Sequence, residues 1–253
     1  MAVKRTKIGY ADYSGGDANF IIGCTPESPG CAHCYARAIY ARQGREEVFS
    51  RPVFYEDKLR RLYKAKFEPG DQPFRRGPGA RPLVFVVDMG DLFHMSVKDE
   101  WISKAHQVMS LRTDVDWLIL TKRAQRMCDW TTARLPEGWP ENIWIGASIE
   151  NMTYALRRIH YVRWTKTRGP RWLSVEPMLE SLPLPADLLR GIDWIVCGAE
   201  SGNHRRPFSP LWALDLYDRC RAQGIAFFGK QDSGRFPGTP LLLRGKEIKE
   251  WPR

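Results

Sequence analysis

The sequence predicts an α/β fold: a partial or full (β/α) barrel of six to seven parallel strands, with a doubly wound open sheet as the alternative. Three observations carry this. Seven short runs are almost continuously apolar and rich in β-branched and aromatic residues, as parallel strands buried on both faces are. Amphipathic stretches separate most of them, and strand–helix alternation favours parallel pairing through right-handed crossovers. Polar residues gather just past the apolar runs, where parallel α/β folds collect function.

The runs are residues 20–23, which end at Cys24, then 82–89, 116–120, 143–149, 171–176, 193–197 and 225–229. Helices are expected over 31–43, closed by Gly44, and over 97–111, where Asp99 and Glu100 suit the positive end of a helix dipole. Further helices are expected over 151–162, 185–190 and 210–223. Residues 67–81, rich in Gly, Pro and Arg, read as a loop, and so does the stretch from 233 to 253. All 253 residues are expected to form one domain with extended N- and C-terminal segments, since α/β barrels often reach this length undivided.

Composition narrows the function classes. Thirty-nine Lys and Arg against 29 Asp and Glu give a net charge of +10, which favours a polyanionic partner. No apolar run is long enough to span a membrane, and residues 1–10 lack the apolar core of a secretory signal. A reducing cytoplasm is therefore expected, with the six cysteines as metal ligands or buried thiols rather than disulfides.

The run ends carry the chemistry. After the second run come Asp88, Asp91 and His94, and after the third Thr121, Lys122 and Arg123. The fourth is followed by Ser148, Glu150 and Asn151, the fifth by Ser174 and Glu176, the sixth by Glu200, Ser201, Arg205 and Arg206, and the seventh by Lys230 and Gln231. The first ends in Cys24, Cys31 and Cys34, spaced C-x6-C-x2-C. Three thiolates on one loop can hold three irons of a [4Fe–4S] cluster and leave the fourth iron open, as S-adenosylmethionine requires. The competing reading is a zinc site completed by His33 or a remote histidine. Cys128, Cys197 and Cys220 lack such spacing and read as core or unligated thiols.

Taken in order, the cysteine run ending Cys34-Tyr35-Ala36, then Met89 to His94, Thr121-Lys122-Arg123, Ser148 to Asn151, Ser174 to Pro177, Gly198 to Gly202 and Phe227 to Gln231 resemble a family of phage- and prophage-encoded three-cysteine proteins. That family is similar in layout to radical S-adenosylmethionine enzymes such as spore photoproduct lyase. The resemblance spans residues 20–232. It implies a radical S-adenosylmethionine type of barrel, with Gly90 and Asp91 holding the methionine amino group and Lys122 facing its carboxylate. Ser148 and Asn151 would bind ribose or carboxylate, and Glu176 would face adenosine or substrate. His94, Arg123, Glu150, Glu200, Arg205, Arg206, Lys230 and Gln231 are candidate substrate contacts. An electron donor such as flavodoxin or ferredoxin is implied. The chain departs from the usual C-x3-C-x2-C by its longer first gap, and its aromatic Tyr35 follows the last cysteine.

These readings lead to a radical enzyme of isomerase or lyase type that modifies or repairs a nucleobase, hypermodified thymidine in phage DNA being one such target, in the host cytoplasm if phage-encoded. Candidate phosphate contacts are Arg75, Arg76, Arg81, Arg205 and Arg206, and the stretch Arg157, Arg158, Arg163, Lys166, Arg168 and Arg171. Trp139, Trp164 and Trp212 are candidates for base stacking. Two alternatives stand: a radical enzyme acting on a small molecule or peptide, and a non-catalytic nucleic-acid-binding protein with a structural zinc or redox cluster.

Overall fold

The computed structural model describes residues 3–68, 76, 77 and 79–252. One curled, open sheet of eight strands, arranged in chain order, forms a half-barrel. Its strands are β1 (Lys4–Arg5), β2 (Tyr13–Ser14), β3 (Leu83–Phe85), β4 (Asp116–Thr121), β5 (Ile143–Ser148), β6 (Arg171–Val175), β7 (Trp194–Gly198) and β8 (Ala226–Gln231). β1 pairs antiparallel with β2, and every other neighbouring pair is parallel. The α-helices that lie wholly within the described residues are α1 (Tyr35–Arg42), α2 (Glu46–Phe49), α3 (Glu56–Lys64), α4 (Asp99–Leu111), α5 (Ala124–Arg134), α6 (Met152–Trp164), α7 (Ala186–Leu189) and α8 (Pro210–Gln223).

Alternate side chains of each strand feed two separate cores, because successive residues of a strand point to opposite faces. Val84, Trp117, Ile119, Ile145, Leu173, Ile195 and Phe227 face the helices and pack with Ile102, Met127, Ile159 and Leu216. Phe85, Leu118, Trp144, Trp172, Trp194 and Phe228 face the lumen. Tyr10 and Trp251 close that lumen from below. Tyr10 meets the rings of Trp194 at 5.7 Å and Trp172 at 5.9 Å, and Trp251 meets Phe228 at 5.1 Å. Three of the lumen indoles find carbonyl acceptors: Trp172 Nε1 donates to Ile119 (3.1 Å), Trp194 Nε1 to Glu250 (2.8 Å) and Trp251 Nε1 to Tyr10 (3.1 Å). Gly146 makes room for this layer, since a Cβ there would meet the Trp172 indole at 2.5 Å.

Five of the expected strands lie in the sheet close to their expected bounds, and residues 82–89 contribute β3, which stops at Phe85. The run 20–23 behaves differently. Ile21–Ile22 pairs antiparallel with Val53–Phe54 in a separate ribbon, and β2 takes the place beside β3. β2 leaves no apolar run to read, being two residues long and followed by Gly15 and Gly16 at φ 70° and 55°. Helices α2, α3 and α5 were not among the expected ones: α2 is four residues long, α3 buries only Leu59 and Leu62 in a mostly charged segment, and α5 buries Ala124, Met127, Cys128, Trp130 and Thr131. The C-terminal stretch expected as loop contains a hairpin, Leu242–Leu243 with Lys246–Glu247, before Trp251. Among the described residues no helix is long and apolar enough to cross a membrane.

Candidate functional site

The two-residue step that lines the lower lumen with aromatics lines its upper mouth with polar groups. Counting upward by twos, Leu118 leads to Lys122, Trp144 to Ser148 and Glu150, Trp172 to Ser174 and Glu176, Trp194 to Gly198 and Glu200, and Phe228 to Lys230. The C-terminal strand ends thus form a charged rim over an apolar plug.

The cysteine loop lies across this rim. It enters at Gly23, whose N–H donates to the Met89 carbonyl (3.0 Å) in a bridge to Gly90. Gly23 has φ 115°, and a Cβ there would meet the Phe49 carbonyl oxygen at 2.8 Å, so this entry requires glycine. Gly30 lets the loop lie against Glu150, whose Cγ stands 2.6 Å from where a Cβ would be.

Three strand ends grip the loop. After β4, Arg123 Nη2 donates to the Thr25 carbonyl (3.1 Å) and Nη1 points at Cys24 Sγ (3.6 Å). After β5, Glu150 Oε1 accepts from Ser28 Oγ (2.6 Å). After β7, Glu200 Oε2 contacts His33 Nδ1 (3.0 Å) and Arg206 Nη1 donates to the Pro29 carbonyl (3.0 Å). His94 adds a fourth hold through Thr25 Oγ1 (2.8 Å). Ser96 N–H donates to His94 Nδ1 (3.1 Å), which leaves Nε2 of the neutral ring to carry the proton toward Thr25. Burial, and then the charge of Arg123, lowers the His94 pKa.

Each rim carboxylate is engaged. Asp91 accepts from Phe93 N–H (2.9 Å), Thr121 Oγ1 (2.7 Å), Lys122 N–H (3.2 Å) and Arg123 Nη1 (2.9 Å), so it organises the β4 turn and aims Arg123. Glu150, fully buried, accepts from Lys122 Nζ (2.5 Å) and Arg158 Nη1 (3.0 Å) as well as from Ser28. Glu176 takes Lys230 Nζ at 2.7 Å, Ser174 Oγ at 3.2 Å and the Tyr10 phenol. Burial first, and then the Glu176 charge, pushes the Tyr10 phenol up. Glu200 is held at about 2: burial opposes its ionisation, but Arg206, through side chain and backbone N–H, and His33 outweigh it.

The remaining sequence-expected residues are placed as follows. Gly90 is packed against the Ile21 carbonyl. Asn151 caps α6, its Oδ1 accepting from Tyr154 N–H (3.1 Å). Ser148 is buried, and its carbonyl accepts from Arg158 (2.8 Å). Gln231 Nε2 donates to the Ala199 carbonyl (2.8 Å), and Arg205 reaches Ser233 (3.1 Å) and Gly202 (2.9 Å), tying the loops after β7 and β8 together. Arg76 and Arg81 pair with Asp116 at the opposite, lower end (3.1 and 2.8 Å); Arg75 lies outside the described residues. Trp139 is fully buried in the core, Trp212 is partly buried and Trp164 is exposed. Arg158, expected as a phosphate contact, is instead buried against Glu150. Sequence reasoning missed Tyr10 and Ser28 as partners of the rim, since no local pattern marks them, and the Tyr35 hydroxyl, which donates to the Asp88 carbonyl (2.5 Å).

Cys24, Cys31 and Cys34 are free and half-buried. Burial and then the Asp91 charge push the Cys24 thiol up to about 11, against the pull of Arg123. Glu27 N–H points at Cys31 Sγ (3.4 Å). Among the described residues no three His, Cys, Asp or Glu side chains converge as ligands of one ion do, and His33 is turned to Glu200. The donor chemistry nonetheless fits an iron–sulfur cluster: three soft thiols on one loop, two of them within reach of N–H donors.

The model of the family described as "Protein of unknown function (DUF5131)" matches residues 5–248. The chain belongs to that family. Among solved structures, this family member is similar to a cysteine-to-serine variant of spore photoproduct lyase, at 12% identity and a TM-score of 0.53, covering 93% of this chain and 79% of the other. It is also similar to a cysteine-to-alanine variant of that lyase with dinucleoside spore photoproduct, at 12% identity and a TM-score of 0.51, covering 92% and 78%. The shared feature is the half-barrel fold. No curated protein matches this family member.

Proposed function

We propose that this protein is a radical S-adenosylmethionine enzyme whose cluster is held by Cys24, Cys31 and Cys34 and whose substrate is a nucleobase in nucleic acid. The observation that carries the reading is the three-thiol loop clamped over the polar mouth of a half-barrel shared with spore photoproduct lyase. A [4Fe–4S] cluster held by Cys24, Cys31 and Cys34 would supply the one electron that splits S-adenosylmethionine into methionine and a 5′-deoxyadenosyl radical.

The chain's own residues supply the rest. Lys122, one-fifth exposed and already paired with Glu150, offers an ammonium suited to the methionine carboxylate. The Lys230–Glu176 pair and the Tyr10 hydroxyl provide adjacent donors and acceptors inside the mouth for a substrate. The aromatic plug beneath them closes the lumen to water from below, which protects a radical from quenching. The net charge of +10 suits a phosphate-bearing substrate.

Anaerobic reconstitution with iron and sulfide, followed by dithionite and S-adenosylmethionine, tests the proposal. The expected outcome is a brown protein with about four irons and four acid-labile sulfides that releases 5′-deoxyadenosine, with Cys31→Ala losing both the colour and the product. One tightly bound zinc without sulfide in the wild type, or full iron retention by Cys31→Ala, refutes it.

A further inference from the structure

Residues 152–171 contain six cations and no Asp or Glu. Arg158 turns inward to Glu150. The others lie on or beyond the outer face of α6, where Arg157, Lys166 and Arg168 are exposed and Arg163 is half-exposed. Along that same face Leu156, His160 and Trp164 follow at four-residue spacing. Trp164 is 67% exposed and Leu156 55%. The Trp164 ring stands edge-on to His160 at 4.8 Å and to Tyr161 at 5.7 Å, so it is held in place while its surface is open. A propped, exposed indole among arginines is unusual on a surface otherwise free to be polar.

The stripe has a direction. α6 begins beside Glu150, and Tyr154 near its start donates to the Glu27 carbonyl of the cysteine loop (3.3 Å). Thirteen residues of helix carry the surface about 20 Å away from the mouth to Trp164. Beyond it, Arg168 and Arg171 line an open hollow of about 1650 Å³ at the lower end of the barrel. The acids facing that hollow are engaged: Glu141 with Arg81 (3.3 Å), Asp116 with Arg76 and Arg81, Asp193 with the Arg171 N–H (2.8 Å), and Glu250 with the Phe227 N–H (3.0 Å).

We propose that the outer face of α6 and the turn through Arg168 form a track for a single-stranded nucleic acid leaving the mouth. Trp164 and His160 stack on bases, and Arg157, Arg163, Lys166 and Arg168 take the phosphates. Stacking on aromatics combined with backbone neutralisation is how sequence-tolerant single-strand binding is built. An acidic protein would match the charge but would leave the open ring faces without a specific use. The track rests on the reading that nucleic acid is the substrate, and it is independent of the cluster.

The test is fluorescence anisotropy of a labelled 12-mer of oligodeoxythymidylate against the full-length protein at several salt concentrations. Binding is expected to weaken with salt. Trp164→Ala should weaken it about fivefold or more while Trp164→Phe stays near wild type. The pair Arg163→Ala and Arg168→Ala should lower the slope of log affinity against log salt by about 1.4, or ~0.7 for each phosphate that is no longer neutralised. Cys31→Ala should bind as wild type does, and thermal melts of every variant establish that the fold is intact. Wild-type binding that none of the α6 variants alters overturns the track and leaves the nucleic-acid reading standing. No binding by the wild type overturns both. Polyglutamate competing as well as the oligonucleotide overturns the track in favour of an acidic protein partner.

Discussion

Replacing Glu150 by Gln should be among the most damaging single changes in the molecule. The Glu150 carboxylate is fully buried and neutralises two cations, Arg158 at 3.0 Å with a side chain 5% exposed and Lys122 at 2.5 Å with a side chain 19% exposed. Gln preserves the volume but removes the charge, so a buried guanidinium is left uncompensated, which costs about 3–5 kcal/mol. The amide oxygen still accepts one hydrogen bond, placing the expected loss near the lower bound, about 3 kcal/mol. For a chain of this size that corresponds to a fall in Tm of roughly 6–12 °C. Urea denaturation followed by circular dichroism, with a thermal melt alongside, measures both. Adding Arg158→Leu to Glu150→Gln should restore more than about 1 kcal/mol, because the stranded charge is then gone. A loss below about 1 kcal/mol in the single variant, or no recovery in the double, would refute the claim that this carboxylate is the electrostatic keystone beneath the cysteine loop.

Three further outcomes follow from the geometry. Gly146→Ala drives a methyl into the Trp172 indole at 2.5 Å and should destabilise by about 1–3 kcal/mol in denaturant titration. Trp251→Ala should cost about 3–5 kcal/mol in the same assay, since it removes both the Phe228 contact at 5.1 Å and the hydrogen bond to Tyr10 that close the lumen. The Glu200 carboxyl, held down at about 2 in the folded chain, contributes stability that is complete above its ordinary pKa of about 4.3 and is lost as pH falls toward 2. Solvent reaches its partners, so the contribution is about 1 kcal/mol. Wild type should therefore lose roughly half of that more than Glu200→Gln between pH 5 and pH 3 in urea titrations, and the rest as pH falls to 2; parallel acid limbs would contradict it.

The strand–helix alternation, the apolar runs and the polar residues beyond them were readable along the chain, because a strand buried on both faces must be apolar throughout its length. Helix α8 was legible to the residue, with Ser209 as cap, Pro210 in its first turn and Gly224 at φ 68° closing it. The run at residues 20–23 misled because its apolar character satisfies a two-stranded ribbon as well as a barrel strand, while the true neighbour of β3 is two residues long. Periodicity reports burial, and it is silent on which partner provides the burial.

What the sequence determined by itself was the barrel-type α/β class, partial or full, the three thiols on one loop and the chemical character of the strand ends. Only the tertiary structure decided what those ends do to one another. Asp91, Glu150 and Glu200 read along the chain as open carboxylates, yet each is taken up by cations and N–H donors from distant elements and turned into a hold on the cysteine loop. Tyr10 and Trp251 stand 241 residues apart and carry no motif, yet they meet to seal the lumen. Such contacts come from closure of the sheet, which sets distances between residues that no local pattern relates.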